Sequence, residues 1–263
     1  MKVKSVVKIM NFHSLLRVNS ARRKADKLNK YEVELSNMIE TILNNRNLLL
    51  DKKSLVPPKN KKSLIIYIGN DYGFCANFNT AINNIILNDK QNDKIIIGKK
   101  LTTNTENIVK YMDKENFYED SVEINKYILD SLINFKYTEI KVIYNHYYNV
   151  NKLELVEKTI FPLEPKNKTK NKDKYIDDFI IEGNINDILI NLVSLYISYE
   201  IQIAESSSWA AENVMRQMVT KESLDKIERI EEEEKNLERK NKKNISFKKI
   251  IENSNYILKR EEK

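Results

Sequence analysis

The chain has 263 residues, 32% of them charged, with a formal net charge of +7. Its single cysteine, Cys75, excludes an internal disulfide and suits a reducing compartment; with only two histidines beside it, the usual zinc sites are excluded too. No apolar run approaches the ~20 residues of a membrane span, and the N-terminus has no signal-peptide core, so a cytosolic or peripheral protein is expected. The apolar share of 41% is low for a compact globule of this length and fits elongated helices with much solvated surface.

From Val3 to about Leu50 there is neither glycine nor proline. Ala21, Ala25, Leu28, Tyr31, Leu35, Met38 and Ile42 follow one another at alternating three- and four-residue spacing, which predicts one long helix with an apolar stripe. Its first half is basic. Lys2, Lys4, Lys8, Arg17, Arg22, Arg23, Lys24, Lys27 and Lys30 face one acid, Asp26. That excess opposes the helix dipole, and an external acidic surface would relieve it; a plain solvated face in a lysine-rich chain reads as well for any single residue.

Pro57 and Pro58 end the helix. Leu64–Ile68 is a continuous β-branched run and reads as a buried strand, closed by Gly69. A loop follows through Asn70, Asp71, Gly73, Cys75 and Asn79, then a helix marked by Ile82, Ile85 and Ile86. Ile95–Ile97 predicts a second strand. Ile108–Met112 and Val122–Leu132 are expected to be helical, Thr138–Tyr144 a third strand and Leu153–Phe161 a fourth. Strands alternating with helices indicate a small α/β domain with a mostly parallel sheet over residues 60–165. The Lys/Asn/Thr-rich stretch over 166–176 is expected to be a flexible linker.

From residue 177 to the end the chain has no proline and, after Gly183, no glycine. Ile188, Leu192, Leu195 and Tyr199, then Leu224, Ile227 and Ile230, then Phe247, Ile250 and Ile257 recur at helical spacing. A helix of some eighty residues would span roughly 120 Å, wider than any domain of this size. It needs a partner along its length, and the helix over 1–54 can supply it as an antiparallel coiled coil, with an ordinary helical bundle as the alternative.

Chemistry of the usual kinds is missing from the sequence. Gly69, Gly73, Gly98 and Gly183 have neither phosphate-loop nor dinucleotide-fingerprint spacing. No acid–base pair stands out, and Cys75 reads as a buried structural thiol. The chain is not expected to be an enzyme by itself.

Several blocks resemble one family in collinear order. Asn70-Asp71-Tyr72-Gly73-Phe74-Cys75-Ala76-Asn77-Phe78-Asn79 resembles the Ser-Asp-Arg-Gly-Leu-Cys-Gly-Gly-Leu-Asn signature of the γ subunit of F-type ATP synthases. Gly98-Lys99-Lys100 resembles its Gly-x-Lys turn, and Thr138–Asn145 its third strand. Val3-Lys4-Ser5-Val6 and Ser20–Ala25 resemble its opening helix, and Ser207-Ser208-Trp209-Ala210-Ala211 through Thr220 its Ser-Glu-His-Ala-Ala-Arg-Met block. The chain departs from that pattern at Tyr72, where the signature has arginine, and at Ser208, Trp209, Glu212 and Asn213, where the block has Glu, His, Arg and Met.

The resemblance implies an α/β fold plus a long antiparallel coiled coil, in which the terminal helices form a shaft and a Rossmann-like α/β domain is inserted between them. It implies the central rotor shaft of an F1-type rotary ATPase, divergent and serving a specialised F1-like enzyme. Partners would be the α and β subunits of the hexamer and, at the foot, an ε subunit with a c-ring or other membrane machinery. ATP, ADP and Mg would sit on the partner subunits and none on this chain. Leu28, Tyr31, Leu35 and Met38 would pack the coiled coil. Asn70, Asp71, Gly73, Cys75 and Asn79 would hold the signature turn. Arg239, Lys240, Lys242 and Lys243, with Arg22 and Arg23 beside them, would form a positive band facing acidic groups of the hexamer. The alternative from composition alone is a basic coiled-coil nucleic-acid-binding or scaffold protein; against it, the basic stretches lack interleaved aromatics, so no nucleic acid is expected.

Overall fold

The structure is a computed structural model; it describes residues 3–44, 61–163 and 183–261, with side chains for 3–40, 61–163 and 183–251. The expected linker at 166–176 and the helical residues expected at 45–54 and 177–182 lie outside these.

Helix α1 (Val3–Asn44) leads to strand β1 (Leu64–Ile68), helix α2 (Thr80–Asn88), strands β2 (Asp93–Ile97) and β3 (Ile108–Met112), and helix α3 (Phe117–Ile133). Strands β4 (Ile140–Asn149) and β5 (Lys152–Phe161) form a hairpin, and helix α4 (Ile185–Glu261) closes the chain. The sheet order is β3-β2-β1-β4-β5, parallel except for the β4–β5 pair.

All five residues of β1 are buried, as a central strand covered on both faces requires. Ile108–Met112 is not helical. It is the parallel edge strand beside β2, with outward Val109 and Tyr111 alternating against less exposed neighbours. Five residues rich in β-branched and aromatic side chains suit an edge strand better than a single helical turn.

One face of the sheet packs on α2 through Ile65, Tyr67, Ile96 and Ile143 against Ile82 and Ile86. The other face carries the main core. Ile66, Ile68, Ile95 and Val142 meet Ile124 and Ile128 of α3 and Val193, Ile197 and Ile201 of α4, and Leu35 and Ile39 of α1 join the same cluster. The first part of α4 is therefore a core helix of the α/β domain as well as half of the shaft. Its buried residues are Leu189, Val193, Tyr196, Ile197 and Ile201, whereas Leu195 of the expected stripe faces outward. A helix covered on two sides needs no single stripe. By length and composition α4 contains a window apolar enough to cross a membrane, but 56% of that window is buried within the fold.

The helix starts at Ile185, later than the expected 177. Asn184 caps it: its side-chain Oδ1 accepts the Asn186 N–H at 3.0 Å and its carbonyl accepts the Ile188 N–H.

Candidate functional site

Two features could carry function: the helix pair, and the junction where that pair crosses the sheet. The pair is antiparallel. Lys4 meets Glu228 and Glu231, Asn11 donates to the Gln217 carbonyl and to Thr220, and Tyr31 packs against Tyr199 with ring centroids 6.0 Å apart. As the α1 number rises the α4 number falls.

The seam on α1 is a heptad. Val7, Ser14, Val18, Ala21, Leu28, Glu32, Leu35 and Ile39 are buried, and Lys4, Asn11 and Ala25 are half-buried at the remaining three- and four-residue steps. Leu28 and Leu35 are thus where the sequence places them. Tyr31 does pack on α4, against Tyr199, but from the rim at 48% exposure; Met38 is 54% exposed, and the positions after them, Glu32 and Ile39, are the buried ones. Glu32 is a buried carboxylate that interacts with the Tyr196 phenol, which Glu200 also engages at 3.0 Å. Burial and these carboxylates push the Tyr196 pKa up. A stripe traced through apolar residues alone skips such a position. Ile42 lies outside the residues whose side chains are described.

Val3 is the first described residue of α1, and Lys4 meets α4 at Glu228 and Glu231. The rest of α4, from Glu232 to Glu261, runs on for ~45 Å, and among the described residues no other helix accompanies it. Arg239, Lys240, Lys242 and Lys243 lie on this projection and are exposed, together with Leu237, Ile245, Phe247 and Ile250. Arg22 and Arg23, also exposed, are not beside them. Arg22 lies over Tyr147 of β4 with 5.8 Å to the ring centroid, and Lys24, two residues on, feels the charge of Glu205. The two basic groups are separated by roughly 50 Å along the shaft. The single side-by-side band expected from the sequence is therefore two basic zones: with Tyr31 at Tyr199 and Lys4 at Glu231, the antiparallel register sets Arg22 and residue 239 far apart.

At the junction, the signature turn after β1 holds itself and α4 together. Asp71 is buried and accepts backbone N–H groups from Lys99 at 2.8 Å, Lys114 at 3.2 Å and Glu115 at 3.1 Å. It thereby joins the carboxyl ends of β1, β2 and β3. Asn70 is buried, donates to the Tyr72 carbonyl at 3.0 Å and receives the Asn79 amide at 2.6 Å. Cys75 is buried with Sγ 3.4 Å from the Gly73 carbonyl and 3.8 Å from the Glu212 carbonyl; burial pushes its thiol pKa up. These residues brace the turn, as the sequence suggests.

Gly73 plays a smaller part than expected. It does not adopt a left-handed backbone, and a Cβ there would meet no atom within 4 Å. The left-handed positions are Phe74 (φ 62°) and Ala76 (φ 44°). Glycine is required at Gly98 instead, at φ +126° with its Cβ position 3.1 Å from the Asn70 backbone.

Sequence reasoning missed the residues that lock α4 to this turn. Lys114 donates to Glu212 Oε2 at 3.2 Å and to the Gly69 carbonyl at 3.3 Å. Arg216 donates to Glu212 Oε1 at 2.5 Å, to Asn213 at 3.1 Å and to the Gly73 carbonyl at 3.3 Å. Two turns earlier, Tyr118 donates to Glu205 at 2.8 Å while Lys24 sits 3.3 Å over the Tyr118 ring. Burial raises the Glu205 pKa and lowers that of Lys24. A cavity of about 420 Å³ between α1, α4 and the turn is lined by Arg17, Lys24, Lys114, Tyr118, Glu205 and Trp209. The available signal was the spacing of Glu205, Glu212 and Arg216 inside a stretch otherwise rich in Ser and Ala. On the far side of α4, Ser207 receives the Tyr147 N–H and lies 3.0 Å from His146 Nδ1. The arrangement is mechanical: it joins a rod to a sheet.

The family model described as ATP synthase matches residues 1–244. The ATP synthase gamma chain of Wolbachia sp. subsp. Brugia malayi (strain TRS) is 25% identical over 257 residues, 86% of this chain and 86% of that protein. That of Clostridium perfringens (strain SM101 / Type A) is 24% identical over 226 residues, covering 81% and 77%. Among solved structures, a chain of the Tetrahymena thermophila mitochondrial ATP synthase central stalk and c-ring is similar in fold, with a TM-score of 0.58 and 14% identity over 83% of this chain and 99% of that one.

Proposed function

Because the chain belongs to the γ family of ATP synthase, we propose that it is the central rotor shaft of an F1-type complex, coupling ATP hydrolysis or synthesis on partner subunits to rotation. The carrying observation is the overhang. Among the described residues, a paired, sheet-anchored rod ends in a single helix with exposed apolar and basic side chains, and such a tip needs a sleeve around it. A hexamer of α and β subunits supplies one. The α/β domain, at the other end, is the foot, and an ε subunit and a c-ring or other membrane machinery are its partners, on the cytoplasmic face of the membrane. ATP, ADP and Mg belong to the hexamer. As a γ chain it is a non-catalytic subunit, and the nucleic-acid and scaffold alternatives lose their basis. The departures at Tyr72, Ser208, Trp209 and Glu212 favour a specialised F1-like ATPase over the housekeeping synthase.

Affinity purification of the tagged chain from its own cell, with identification of the co-purifying subunits, tests this reading. The expected result is α- and β-type ATPase subunits in about threefold excess over the shaft, and ATP hydrolysis by that complex but not by the chain alone. Recovery of nucleic acid, or of the chain as an isolated oligomer, would overturn it.

A further inference from the structure

The sheet meets the shaft at its carboxyl edge, where open α/β sheets commonly leave a crevice for a ligand. Here α4 fills much of that crevice with charge. The side chains of Lys114, Glu212 and Arg216 are 7%, 3% and 6% exposed. Each oxygen of the Glu212 carboxylate takes a different cation from a different element: Oε2 from Lys114, in the loop after β3, and Oε1 from Arg216, one turn on along α4. The second cation reaches onward to the Gly73 carbonyl of the signature turn, and the first to the Gly69 carbonyl at the end of β1. A rotation of α4 against the sheet would draw Glu212 away from Lys114 and Arg216 away from the Gly73 carbonyl.

Directional contacts also join α4 to the α/β domain at Glu200 (from Lys158), Glu205 (from Tyr118) and Ser207 (from the Tyr147 N–H), but the triad is the set that ties α4 to the signature turn through one carboxylate holding two buried cations. Ala204, Ala210 and Ala211 are small buried residues, and apolar contact is non-directional. These small side chains do little of themselves to set the angle of the helix at this level. Buried ion pairs behave in the opposite way: after desolvation they add little to stability, but leaving one partner unmatched is costly, so they choose among packings.

We propose that the Lys114–Glu212–Arg216 triad fixes the angular setting of the α/β domain on the shaft, with Glu212 the positioning residue through which rotation of the shaft is passed to the foot. The functional half of this inference rests on the rotor reading; the geometric half does not.

The experiment uses the full chain with spin labels at Val122→Cys on the α/β domain and Glu234→Cys on the projecting part of α4, both exposed, with the buried Cys75 left in place. Pulsed electron spin resonance gives the distribution of distances between them. The parent should give one narrow distribution. Replacing the triad by apolar residues of similar volume, Lys114→Met, Glu212→Leu and Arg216→Met together, should leave the melting temperature unchanged or raised and broaden the distribution at least twofold. Glu212→Gln, which leaves two buried cations facing each other, should broaden it too and lower the melting temperature. In the assembled complex, turns of a probe on the α/β domain per ATP hydrolysed should fall several-fold for the apolar triple. A triple variant as narrow as the parent overturns the inference, and should the triple fail to fold, an unchanged width in Glu212→Gln does so. Failure of the rotor reading would show differently, as no hexamer bound to the parent chain.

Discussion

The Lys4 ammonium lies 2.8 Å from the Glu231 carboxylate, and among the described residues α4 has no companion helix past that pair. The bond marks the level where a two-helix rod becomes a one-helix tip. It is partly exposed on both sides, with side-chain exposures of 24% and 43%, so it marks the level more than it stabilises it.

The tip's charges are fully solvated, and their removal should not unfold anything. Reversing Arg239, Lys240, Lys242 and Lys243 together to glutamate is expected to leave the melting temperature within about 1 °C of the parent, because exposed positions rarely matter to stability. Hydrolysis-driven rotation of the assembled complex should slow, while each single reversal stays near parental speed. Parental speed in the quadruple variant would leave this zone as plain solvated surface.

The seam makes a sharp contrast between neighbours one helical turn apart. Leu35→Ala should destabilise the chain by about 2–4 kcal/mol, the usual cost of emptying a buried leucine site. Met38→Ala, at a residue 54% exposed, should stay within about 0.5 kcal/mol. Denaturant unfolding of both variants decides it, and equal effects would contradict the heptad assignment of Leu35 and Ile39.

Glu205 carries a pH signature. Its burial raises the carboxyl pKa above the ordinary value of 4.5, against the opposing pull of Lys114 and Lys24. The folded state therefore holds a proton that the unfolded state has released. Stability from this group is fully present below about pH 4.5 and is lost as pH rises through the raised value. Glu205→Gln keeps an acceptor for Tyr118 and removes the titration. Unfolding curves across that pH range should show the parent losing stability relative to the variant; parallel pH profiles would mean Glu205 is not perturbed.

The two glycines near the turn should behave oppositely. Gly98→Ala forces a side chain into a left-handed backbone pressed against Asn70 and should cost about 1–3 kcal/mol. Gly73→Val, with open space and an ordinary backbone, should change the melting temperature by no more than about 2 °C.

Much of this architecture was legible in the sequence because it follows from backbone rules. Helices without glycine or proline, the β-branched runs of β1 and β2, and the proline break after the first helix depend on local chemistry. What stayed hidden depends on what lies opposite. Ile108–Met112 is a strand because β2 offers it an edge. Glu32 is a seam residue because Tyr196 lies across from it. Residue 239 is far from Arg22 because the antiparallel register, and not the charge pattern, decides which residues lie side by side. At the junction, Asp71, Asn70 and Cys75 could be placed from their turn, but Lys114, Glu212 and Arg216 come from two distant segments that only the folded chain brings together.

Leu64 and Ile66 of the first strand complete their core only against Val193, Ile197 and Ile201 of the last helix. A ribosome making this chain has therefore exposed every strand long before the covering helix leaves the exit tunnel. Contacts so distant in sequence close slowly. During that interval the isoleucine-rich face is open to other nascent chains, so the yield of correctly folded protein in the cell should depend on chaperones that shield the sheet during synthesis.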